Sequence, residues 1–120
     1  MTPTNPDLIN YWVYILLCEN DTYYTGYTND LKARYRTHIN GTGRCKYTRS
    51  FRPLTIAQCW KITGNKSLAM KTEKQIKNMS RQQKKELVLK PSILASNPDI
   101  KCISQSAILK IIKNASDLLP

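Results

Sequence analysis

Tyr11 to Cys18 (YWVYILLC) is apolar at odd and even positions alike and rich in aromatic and β-branched side chains. A strand that is apolar on both sides has to be covered on both sides. Glu19, Asn20 and Asp21 are turn formers, and Thr22 to Tyr27 reads as a second strand, so the pair is a hairpin. Gly26 lies near its end, where backbone freedom or a close approach usually explains a glycine.

Asn29 or Asp30 caps a helix that Gly41 stops. Leu31, Tyr35 and Ile39 form its apolar stripe, with Arg34 and His38, four apart, on the border. Gly41 to Pro53 reads as a loop carrying Arg44, Lys46, Arg49 and Arg52 between the rings of Tyr47 and Phe51. Basic side chains interleaved with aromatics suit a phosphate backbone and an unstacked base. Leu54 to Thr63 is a third strand whose better-covered face holds Leu54, Ile56, Gln58, Trp60 and Ile62.

Asn65 caps a helix from Lys66 to Asn78, with Leu68, Ala69, Thr72, Ile76 and Met79 facing inward. Glu73 falls within that stripe, between Ala69 and Ile76. A carboxylate there is costly unless it is paired or binds a cation, and Lys77, four residues on, offers the ordinary pairing. Ser80 and Gln83 have capping-box spacing at the head of a helix from Arg81 to Leu89. Residues 91–102, with two prolines and two serines, read as a linker, and Ile103 to Leu119 as an amphipathic helix.

A chain of 120 residues implies one domain. No run is long enough to cross a bilayer, and the polar N-terminus lacks a basic n-region, so neither a membrane partner nor secretion is expected. The four cysteines show neither CxxC pairing nor a His/Cys cluster, which argues against zinc and for reduced thiols in the cytoplasm. A formal charge of +11 points to a polyanionic partner.

Val13-Tyr14, then Tyr24-Thr25-Gly26, then Arg34 with His38 four residues on and a later Glu73, resembles the GIY-YIG nuclease domain, closest to its small stand-alone bacterial members. The first triplet reads Trp12-Val13-Tyr14, so both tyrosines and the closing glycine are kept and the first glycine is not. The resemblance covers about Tyr11 to Lys90. It implies an α/β (α+β) fold, a three-stranded antiparallel sheet flanked by helices, with an extra C-terminal helix outside it. The expected organisation is a flexible N-terminus (1–10), a nuclease-like domain (11–90), and a linker with an amphipathic helix (91–120).

The implied activity is metal-dependent endonucleolytic hydrolysis of nucleic acid, with DNA as the expected substrate. The expected catalytic residues are Tyr14, Tyr24, Arg34, His38 and Glu73. Glu73 would hold Mg²⁺ or Mn²⁺, because this family holds its single metal with a glutamate on the later helix. Arg34, always charged, suits an anionic transition state. Tyr14, Tyr24 or His38 would orient or deprotonate the water, with His38 the better base on pKa grounds. Arg44, Lys46, Tyr47, Arg49 and Arg52 are the expected nucleic-acid contacts. Two other readings compete. One is a non-catalytic nucleic-acid-binding module of the same fold. The other is an interaction protein that forms a homodimer through the C-terminal helix, against the simpler packing of that helix on its own domain.

Overall fold

A computed structural model describes residues 8–42 and 46–113, leaving aside the side chains of Lys46 and Arg49. The strands are β1 (Asn10–Cys18), β2 (Tyr23–Thr28), β3 (Pro53–Thr63) and β4 (Ile100–Cys102). The helices are α1 (Leu31–Asn40), α2 (Lys46–Ser50), α3 (Lys66–Lys77), α4 (Arg81–Leu89) and α5 (Gln105–Ile112), with a 3-10 segment at Pro91–Ser96. The sheet is antiparallel in the order β2-β1-β3-β4.

β1 is covered on both sides, as its composition demands. Val13 and Ile15 join Trp60, Ile62, Ala69, Ile76 and Leu87 in one cluster. Tyr14, Leu16 and Cys18 join Leu31, Ile56, Cys59 and Ile108 in the other. Side chains alternate along a strand, so α3 and α4 cover one face while α1 and α5 cover the other. The helix ends follow the chemistry of their caps. Asp30 accepts from the Ala33 amide at 3.1 Å, Asn65 from that of Leu68 at 2.9 Å, and Ser80 and Gln83 close a reciprocal capping box. Gly41 ends α1 in the left-handed region at φ 65°.

Three expectations are corrected. The sheet has four strands, because residues 91–102 are not a linker. Trp60 donates its indole N–H to the Pro91 carbonyl at 3.0 Å, Leu94 and Ile100 are buried in the cluster of Trp60, and Ile100–Cys102 pairs with β3. The loop between Gly41 and Pro53 contains a short helix, α2. The alternation in β3 also breaks, because Ile15 pairs with Gln58 while Leu16 pairs with Ile56. That bulge at Ala57 turns Ile56 toward α1 and leaves Trp60 and Ile62 toward α3.

The C-terminal helix is shorter than expected within the described residues, ending at Ile112, and residues 114–120 lie outside them. It packs on its own domain, with Ile108 buried against Leu31 and Cys59 and with Ile111 and Ile112 partly buried beside them. No described helix is long and apolar enough to cross a membrane. Cys18, Cys59 and Cys102 are unbridged.

Candidate active site

Tyr14 stands directly across from Gly26 in the β1–β2 register, and its ring packs closely against that glycine. A Cβ on residue 26 would sit 2.5 Å from the Tyr14 hydroxyl and 2.7 Å from Cζ. A close approach therefore explains this glycine. The hydroxyl lies 2.8 Å from His38 Nε2, and His38 Nδ1 lies 2.9 Å from Thr48 Oγ1. Tyr14 is 2% exposed, and His38 and Thr48 are each 1% exposed. A strand, a helix and the segment that follows it thus meet in one buried polar chain. In a neutral imidazole one nitrogen donates and the other accepts, so the chain runs either from Tyr14 toward Thr48 or the reverse.

His38, the better base on ordinary pKa grounds, is buried. Burial, and next the positive charge of Arg34, push its pKa down to about 4. The ring is neutral at physiological pH and faces Tyr14 rather than water. This has a measurable consequence. Above pH 6.5 both folded and unfolded states carry a neutral imidazole. As pH falls below 6.5 the unfolded ring takes a proton that the folded ring refuses, and stability is lost until the folded pKa near 4 is reached. The loss at pH 4 is about 3 kcal/mol. The stability difference between this chain and its His38→Gln variant, from urea unfolding, should therefore shift by about 3 kcal/mol against the parent between pH 7 and pH 4. An equal difference at both pH values would contradict the buried neutral assignment.

Tyr24 completes the cluster from β2. Its ring meets His38 edge-on at 5.0 Å and stacks on Tyr47 at 5.7 Å, which in turn leans on Phe51 at 5.2 Å. The Tyr47 hydroxyl hydrogen-bonds to Thr22. Tyr24 is half-buried, so it is the phenol of the pair with a side open to solvent. The basic segment after α1 is thus not an open loop of free rings. Tyr47 is part of the stack, and α2 exists because its residues Tyr47 and Thr48 are both held by the site. Arg52 is exposed, and its backbone amide donates to Glu19 Oε1 at 3.2 Å. Lys46 and Arg49 stand on α2, while Arg44 lies outside the described residues.

Arg34 is half-buried one turn before His38, with Nη1 3.5 Å from Thr37 Oγ1. Its charge is felt at the imidazole. Glu73 is placed differently. It belongs to α3, on the other face of the sheet, and is paired with Lys77 at 3.4 Å with its side chain 18% exposed. Lys66, Glu73 and Lys77, at i, i+7 and i+11, share one flank of α3. Lys66 lines a cleft of about 290 Å³ with Tyr27, Thr28 and Asn29 at the end of β2. The opposite flank, with Leu68, Gln75 and Met79, lines a groove against Leu94 and Ile100. Glu73 therefore sits on the β2 side of α3, and β2 is the edge strand whose other face carries Tyr24 and Gly26.

The structure brings Tyr14, Tyr24, Arg34 and His38 together and leaves Glu73 across the edge strand from them. Among the described residues no three His, Cys, Asp or Glu side chains gather. The donor at Glu73 is a single part-buried carboxylate. That fits a hard divalent ion such as Mg²⁺ or Mn²⁺, which keeps most of its waters and takes further oxygens from a substrate phosphate. Sequence reasoning missed Thr48 and Thr22. Both act through contacts with residues 10 and 25 positions away, and no local pattern marks them.

The profile of the GIY-YIG catalytic domain matches residues 10–86. A UPF0213 protein of Halalkalibacterium halodurans is 40% identical over 80 residues, which are 67% of this chain and 83% of that protein. A UPF0213 protein of Halobacterium salinarum is 44% identical over 75 residues, 62% of this chain and 95% of that protein. Among solved structures, the solution NMR structure of a UPF0213 protein from Bacillus halodurans is 40% identical, covers 66% of this chain and 82% of that one, and superposes with a TM-score of 0.41.

Proposed function

The chain belongs to the GIY-YIG family, and from that premise we propose that it is a metal-dependent endonuclease acting on DNA. The observation that carries this reading is the convergence of Tyr14, Tyr24, Arg34 and His38 at the β2 edge of the sheet. Hydrolysis requires a water oxygen to attack phosphorus and give up a proton to solvent, the bond from phosphorus to the leaving sugar oxygen to break, and that oxygen to gain a proton from solvent. Charge builds on the phosphoryl oxygens along the way, and positioned cations offset it.

Arg34 supplies a permanent cation with a planar fork that spans two phosphoryl oxygens. A divalent ion held by Glu73 would supply Lewis-acid neutralisation at the same phosphate. Tyr24, the half-exposed phenol, meets the attacking water. His38 holds rather than takes a proton. Burial, and next the charge of Arg34, lower the His38 pKa to about 4, which makes the imidazole a poor proton acceptor. His38 instead fixes the Tyr14 hydroxyl, and through it the floor on which Tyr24 and the water sit.

Arg34→Ala should lower the cleavage rate by about 10²- to 10³-fold. The same change should raise the His38 pKa, since burial alone would then depress it. Both effects are read on one protein, by initial rates and by NMR titration of the imidazole. An unchanged imidazole titration would show that Arg34 does not face this cluster. The activity itself is tested by a screen of single-stranded, duplex, flap and junction DNA with Mg²⁺ or Mn²⁺. Ion-dependent cleavage of at least one form, stopped by a chelator, is expected. Binding without cleavage of any form would favour the non-catalytic module.

A further inference from the structure

Residues 66–90 carry eight lysines and arginines against two acids, and so contribute more than half of the chain's net charge of +11 from about a fifth of its length. These residues form α3 and α4, the layer on the sheet face away from Tyr14 and His38. Lys71, Lys74, Lys77, Arg81 and Lys85 are all exposed. A second observation links this layer to the site. Arg81 hydrogen-bonds to the Asp21 carboxylate at 2.8 Å and lies over the Tyr23 ring at 5.6 Å, closing with Lys84 and Thr22 a cleft of about 220 Å³. The neighbouring Thr22 hydroxyl bonds Tyr47, in the aromatic stack beside Tyr24. The β1–β2 turn thus joins the rim of the site to the head of α4, and the basic surface is continuous with it.

We infer that the outer surface of α3 and α4 is the track for the nucleic-acid backbone beyond the cleaved phosphate. Lys74, Lys77, Lys84 and Lys85 neutralise the flanking phosphates, and Arg81 holds the surface in register with the site. The reason is electrostatic. A polyanion releases condensed counterions where fixed cations are dense, and α3 and α4 together carry seven lysines and arginines against two acids. The inference rests on the nucleic-acid reading for its partner but not on catalysis.

The test is binding of a fluorescein-labelled 20-mer, single-stranded and duplex, by anisotropy between 50 and 200 mM salt in the presence of a chelator. A Lys84→Glu/Lys85→Glu variant should bind about tenfold more weakly at low salt, with the slope of log affinity against log salt reduced by about 2. A Lys101→Glu/Lys110→Glu variant makes the same charge change on β4 and α5 and should bind within about twofold of the parent. Equal weakening in both variants would show that net charge alone drives binding and would overturn the surface. So would an unchanged Lys84→Glu/Lys85→Glu variant, or a parent that binds neither oligomer. A parent that binds through α4 yet cuts nothing leaves the surface standing and removes the nuclease reading instead.

Discussion

Glu73→Ala is expected to bind DNA as the parent does and to cut it about a thousandfold more slowly, since several kcal/mol of charge stabilisation at the phosphate are lost. The fold should tolerate the change. Glu73 touches Lys77 across the surface of one helix, with the lysine half-exposed, and such pairs contribute well under 1 kcal/mol. The carboxylate is nevertheless on the border of a buried stripe, next to Ala69 and Ile76, where an acid without a task is disfavoured. Initial rates in Mg²⁺ separate the two roles of this side chain from each other. A variant cutting within a few-fold of the parent would leave Glu73 as half of an ordinary i,i+4 pair.

Gly26→Ala should cost about 3 kcal/mol of stability and abolish activity besides. The added methyl has to displace the Tyr14 ring, since a Cβ on residue 26 would sit 2.5 Å from its hydroxyl. Moving that ring breaks its bond to His38 and strands a buried imidazole nitrogen. Overpacking contributes about 1–3 kcal/mol and the orphaned polar group a similar amount. The backbone at Gly26 is not the cause, since among the described glycines those with positive φ are Gly41 and Gly64. A double-mutant cycle isolates the contact. Once Tyr14→Leu has removed the phenol, Gly26→Ala should become nearly neutral, measured by thermal or urea unfolding. If alanine at 26 costs the same beside leucine as beside tyrosine, the collision is not what selects glycine there.

The parts of this molecule legible in sequence are those governed by short-range chemistry. Asp30, Asn65 and Ser80 announce their helices because a cap needs only its own side chain and the next turn. The doubly apolar β1 announces a sheet covered on both faces, and the structure has that architecture. The fourth strand was not legible, since Ile100–Cys102 is too short for a period-2 pattern and stands just after Pro98. It exists because Trp60 and Ile62 on β3 offer it a partner. The bulge at Ala57 is equally invisible, being set by the pairing of two strands rather than by either one.

The site divides along the same line. Tyr14, Tyr24, Arg34 and His38 stand out by family spacing; the rings of Tyr14 and Tyr24 meet His38, and Arg34 lies one turn before it on α1. The burial of His38 is not legible in sequence, because an ordinary imidazole pKa takes no account of the core into which Tyr14 and Thr48 draw this one. The sheet face on which Glu73 stands is a property of how α3 is laid over the strands, and periodicity within α3 carries no information about it.

The central claim is that one phosphate is addressed from both sides of the β2 edge at once. It is tested most directly by the anomalous scattering of Mn²⁺ in crystals grown with a cleavage-resistant phosphorothioate oligonucleotide. The account predicts manganese bound through the Glu73 carboxylate, with the bridged phosphate within hydrogen-bonding distance of Arg34 and the Tyr24 hydroxyl. Manganese bound elsewhere, with Glu73 still paired to Lys77 and no phosphate near Tyr24, would contradict it.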